Sequence, residues 1–155
     1  MNTSKPVQTF WAEFCRANPQ IDSVTPYQVW YFGNSSEMAE ELANLVITGK
    51  KFATASLAEV NKIKPDDAPV ADGYSVVTNF KGNPLCIIQT TEIVNTPFDE
   101  VGAQFAADEG EGDQSLENWR RVHSEYFTRE AATMEIAFNE DSIICCERFK
   151  LMFPL

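Results

Sequence analysis

The apolar residues of this chain change their period at Gly49, and that change decides what the fold must contain. Before it, Met38, Leu42, Leu45 and Val46 recur every three or four positions, the spacing of a helix stripe. After it, Ala53, Ala55 and Leu57 alternate with Thr54 and Ser56, the spacing of a half-buried strand. Asn34, Ser35 and Ser36 are capping residues, Glu37 and Glu40 suit the positive end of a helix, and Gly49 sits where a left-handed stop is wanted. The stretch GKKFATASL therefore brings Lys50 and Lys51 out at a helix end and turns at once into a strand.

The same reasoning extends along the chain. Val7, Phe10, Trp11, Phe14 and Cys15 predict a helix over about 6–17, ended by Asn18-Pro19. YSVVTNF, the turn KGNP and LCIIQTTEIV predict a hairpin. FDEVGAQFAADEGEGDQSLENWRRVHSEYF reads as helical at both ends around a glycine-acid turn, with Leu116, Trp119, Val122, His123 and Tyr126 on one face. SIICCERFKLMFPL reads as a final strand. No repeat, linker or low-complexity segment divides the 155 residues, a length suited to one domain. This order predicts an α+β fold with a mostly antiparallel sheet closed into a small barrel.

Charge narrows the partners. Twelve Lys and Arg against 23 Asp and Glu give a net charge of −11. Such a surface disfavours long non-specific nucleic acid, whose affinity for proteins comes from cations displacing counterions. The N-terminal stretch lacks the basic start and apolar run of a secretory signal, and no window approaches the roughly 18 apolar residues of a membrane span. Cys15, Cys86, Cys145 and Cys146 show no CxxC spacing, so free thiols in a cytoplasmic protein are expected. Cys145, Cys146 and His123 make a poor metal set, because neighbouring strand residues point to opposite faces. No metal and no cofactor are expected.

Three constellations carry chemistry. Lys51 and Thr54 lie three residues apart, where a lysine of lowered pKa can activate a hydroxyl as nucleophile. A third polar group must orient the lysine, and Glu92 is the candidate, because a carboxylate inside CIIQTTEIV is costly unless paired or functional. The plainer reading has Lys50 and Lys51 offsetting the helix dipole while Glu92 faces solvent. In EGEGDQSL, Glu109, Glu111 and Asp113 alternate with glycines but lack the register of a calcium loop, so Asp113 or Ser115 is read as the cap of the next helix. Third, Trp119 and His123 share a helix face, with Arg120 beside it. That arrangement serves either core packing or the stacking of a base.

FGNSSEMAEELANLVITGKKFATASL and the long EGEGD-containing segment together resemble the ASCH-domain family, in its longer bacterial branch with G-K-K-x-A-T and E-G-E-G-D-x-S-L-x-x-W-x-x-x-H motifs. The resemblance runs from about Trp30 to the C-terminus. It implies a PUA-like β-barrel with flanking helices over residues 1–155, residues 1–29 forming a helical extension packed on it. It also implies an RNA or nucleoside ligand, and a hydrolase site of Lys51, Thr54 and Glu92, with Glu100 as the other carboxylate to weigh. In that reading Lys51 takes the proton of Thr54, which attacks an acyl carbon. Lys50, Phe52, Ser115, Trp119, Arg120 and His123 then bind a nucleoside or short single-stranded RNA. Ribonuclease action, or RNA binding without chemistry, uses the same cleft.

Overall fold

The computed structural model describes residues 3–154; Met1, Asn2 and Leu155 lie outside the described residues. Helix α1 (Lys5–Ala17) opens with Ser4, whose hydroxyl accepts from the Val7 amide at 3.4 Å, and Pro6 stands in its first turn, where no amide donor is needed. Strand β1 (Tyr27–Trp30) leads to α2 (Ser36–Ile47), capped by Ser35. Gly49 adopts φ +83°, so the amides of both Lys50 and Lys51 turn back onto the Leu45 carbonyl. Strand β2 (Ala53–Leu57) runs into the short α3 (Ala58–Ile63). The hairpin β3 (Tyr74–Thr78) and β4 (Pro84–Pro97) follows, then α4 (Ala103–Glu109), α5 (Leu116–Thr133) and β5 (Ile143–Phe153).

The strands form one sheet in the order β1-β3-β4-β5-β2, antiparallel except for β1 beside β3. Alternation along the strands sends side chains to two layers. Val76 and Ile87, opposite each other in the ladder, pack under α1 through Val7, Trp11 and Phe14. Val77, Cys86, Ile88 and Phe149 face α2 and Phe32. Around β2 and β5, Ala53, Leu57, Ile144 and Cys146 pack against α4, α5 and Phe98. All four cysteines are free and buried, and burial alone pushes the Cys86 thiol up to about 12. Among the described residues no helix is long and apolar enough to cross a membrane.

One expectation about the sheet is corrected. It does not close: β1 and β2 stand at opposite ends of the strand order and do not pair. Their facing edges instead line one cavity, β1 through Gln28 and Trp30 and β2 through Thr54, Ala55 and Ser56.

Candidate functional site

The cavity between the two sheet edges measures about 200 Å³. Trp30, Tyr31, Phe32 and Tyr126 supply aromatic wall, and Lys51, Thr54, Glu109, Glu111, His123 and Glu147 supply polar groups. The two sequence motifs meet here through the backbone. The Phe52 amide donates to the Asp108 carbonyl at 3.0 Å, and Gly110, at φ +69°, leaves no room for a side chain: a Cβ there would lie 2.1 Å from the Lys50 carbonyl oxygen. GKK and EGEGD are thus two halves of one structure.

Lys51 is 1% exposed, and its ammonium group donates to the Ala53 carbonyl at 2.8 Å, Glu109 Oε1 at 3.1 Å and Glu111 Oε2 at 2.7 Å. It also lies 5.3 Å from the centre of the Phe32 ring. Glu109, equally buried, accepts from Trp119 Nε1 and lies 3.2 Å from His123 Nε2. The His123 ring stacks on Trp119 at 4.2 Å, and its Nδ1 meets the Trp119 carbonyl at 2.9 Å. Across the cavity floor, Glu147 stands opposite Thr54 in the β2–β5 register and accepts from the Thr90 hydroxyl at 2.6 Å.

Burial would strip charge from these groups, yet their mutual attraction wins at three of them. For Lys51 burial lowers the pKa, but Glu109 and Glu111 outweigh it and hold the ammonium charged. Burial raises Glu109, but Lys51 and His123 bring it well below the usual carboxylate range. Burial lowers His123, and Glu109 more than restores it. Glu111 and Glu147 move the other way: burial raises both, and Lys51 offsets only part of the rise. Glu109, Glu111 and His123 each offer a ligand atom within 4.8 Å of the others, a metal-like cluster, but the Lys51 ammonium already engages one oxygen of each carboxylate.

A profile of the ASCH domain matches residues 28–152. The chain belongs to the ASCH-domain family. A crystal structure of an ASCH domain from Lactobacillus crispatus superposes with a TM-score of 0.90 at 31% identity, over 98% of this chain and 97% of that one. A protein of Enterococcus faecalis V583 superposes at 0.85 with 33% identity, over 96% and 91%. No curated protein matches. The fold is thus the PUA-like α+β architecture expected from the motifs, with an open rather than a closed sheet.

Within this ASCH domain the predicted residues separate. Lys51, Thr54 and His123 line the cavity together. Glu92 does not join them: its side chain is half exposed on β4, 3.5 Å from Arg148, which is also held by Asp108 at 3.0 Å. Glu100 lies in the 3-10 turn after β4 and is exposed. Trp119 is 3% exposed, packed between Phe98 and His123, so it holds Glu109 and offers no face to a base. Ser115 caps α5 by accepting from the Asn118 amide, and Arg120 donates to the Asp99 and Val101 carbonyls. Lys50 and Phe52 are exposed away from the cavity lining. The sequence reading passed over Glu109 and Glu111 as site residues. Their signal was the pair of glycines, which let two carboxylates of one loop converge on the GKK turn.

Proposed function

We propose that this ASCH domain binds a nucleoside, or the terminal nucleotide of a short single-stranded RNA, and hydrolyses a bond in it without a metal. One observation carries this reading: a buried, mutually paired cluster of Lys51, Glu109, Glu111 and His123 opens onto an aromatic-walled cavity that also holds Thr54. Roughly 150 Å³ is enough to hold benzene in an apolar cavity, so about 200 Å³ suits a single ring system. Because Lys51 is held as an ammonium ion with its protons on Ala53, Glu109 and Glu111, it is not the base; it fixes the two carboxylates at the cavity. Glu111, pushed upward by burial and the more exposed of the two carboxylates, is the better proton acceptor. Thr54 is then the nucleophile toward an acyl group, its proton passing through Glu111 to the amine that leaves as the C–N bond breaks, with water hydrolysing the resulting ester, or it is a positioning hydroxyl if the ribose 2′-hydroxyl attacks instead.

The test is incubation of chelator-treated protein with N-acylated nucleosides and with a short single-stranded RNA, followed by mass spectrometry. Wild type is expected to release the acyl group. Thr54→Ala, which leaves the buried charges intact, is expected to lose at least about a hundredfold in rate. RNA fragments in place of deacylation would move the chemistry to strand cleavage. Binding with no product from either substrate would leave a non-catalytic RNA-binding module.

A further inference from the structure

Glu147 is a buried charged group of the cavity that the hydrolytic reading does not use. It is 6% exposed, on the middle of β5, and one carboxylate oxygen accepts from Thr90. Among the described residues no cation lies within salt-bridge distance of it, and its second oxygen accepts no hydrogen bond. A carboxylate placed that deep with no cation in contact is costly, the more distant Lys51 offsets only part of that cost, and the carboxylate lines a cavity large enough to admit a cation. The remaining charges do not supply it. Lys51, the cavity's lysine, is already engaged by Glu109 and Glu111, His123 by Glu109, and Asp67 adds a further carboxylate to the lining. Trp30, Tyr31 and Tyr126 complete the wall with rings whose faces attract cations. The Lys51 ammonium over Phe32 shows one such contact in place.

Resting on the nucleoside reading of the cavity, we propose that its ligand is a positively charged heterocycle, such as an N-alkylated nucleobase, with Glu147 as its counter-ion and the aromatic wall stacked on its ring. Burial makes the lone Glu147 hard to ionise, and a bound cation relieves that penalty. A neutral base gains the stacking but not the charge pairing.

Matched pairs test this directly: N1-methyladenosine against adenosine and N3-methylcytidine against cytidine, in which the methylated member carries the charge near neutral pH. Calorimetric titration of wild type is expected to favour each cationic member by at least about tenfold. Glu147→Gln keeps the side-chain shape and a partner for Thr90, and is expected to bring the preference to about threefold or less, with a melting curve as the check on folding. Equal binding of charged and neutral members by wild type overturns the proposal while leaving the nucleoside reading intact. So does a preference that survives unchanged in Glu147→Gln. Failure of every nucleoside to bind overturns both.

Discussion

At the scale of single residues, the site is a set of buried charges whose protonation is coupled to folding. His123, raised in the fold, contributes stability that is complete below its unfolded pKa of about 6.5 and is lost as pH rises through the folded value. Glu111 and Glu147, also raised, work in the same sense: the unfolded chain ionises first, so stability falls as pH climbs past the ordinary carboxylate range. Glu109, lowered, contributes stability above its unfolded pKa that disappears as pH falls through the folded one. The melting temperature is therefore expected to peak on the acid side of neutrality, near the ordinary glutamate pKa of about 4.3. Scanning fluorimetry across pH reads this directly, and His123→Gln should flatten the limb above neutrality. A peak in the alkaline range would contradict the pairing described for His123.

At the scale of elements, much was legible and the failures have physical causes. The ends of α2 were readable because Ser35 and the left-handed Gly49 act locally, and α1 from its apolar spacing and its stop at Asn18-Pro19. The β3–β4 hairpin was readable from its turn, and β5 from its apolar run. Strand β1 was not: YQVW is four residues, each half-buried, and its parallel partner β3 lies far along the chain. Glu92 was misplaced because β4 is fourteen residues long and its second half leaves the core, so the apolar setting assumed for that carboxylate ends at Thr90. The joint between the motifs gives a sharp test. Gly110→Ala drives a Cβ into the Lys50 carbonyl and is expected to cost roughly 4 kcal/mol or more. Gly49→Ala, also at positive φ but in open space, should cost only about 1 kcal/mol. Urea unfolding of the two variants side by side checks the ordering.

At the scale of the whole molecule, α1 lies outside the residues that the family profile matches, yet it covers the Val76–Ile87 side of the sheet. Val7 and Phe14 are each almost completely buried there and contribute about 1.5–3 kcal/mol apiece, with Trp11 adding to them. Against a typical total of about 5–15 kcal/mol, that loss is not tolerable. A chain beginning at Tyr27 is expected to be unfolded or aggregated, by circular dichroism and light scattering; a monomeric, cooperatively melting product would make the helix dispensable. The pairing of Lys51 with Glu109 has a consequence of another kind. The two residues are 58 positions apart, so their contact requires a long loop to close, and until it does both charges stay hydrated. Contacts of that sort form late and break early, and such late contacts govern the rate of escape from the native state more than the rate of reaching it. Substitutions at the side chains that prepare the cavity for its ligand are therefore expected to shorten the lifetime of the folded molecule more than they slow its folding, as stopped-flow unfolding and refolding would read.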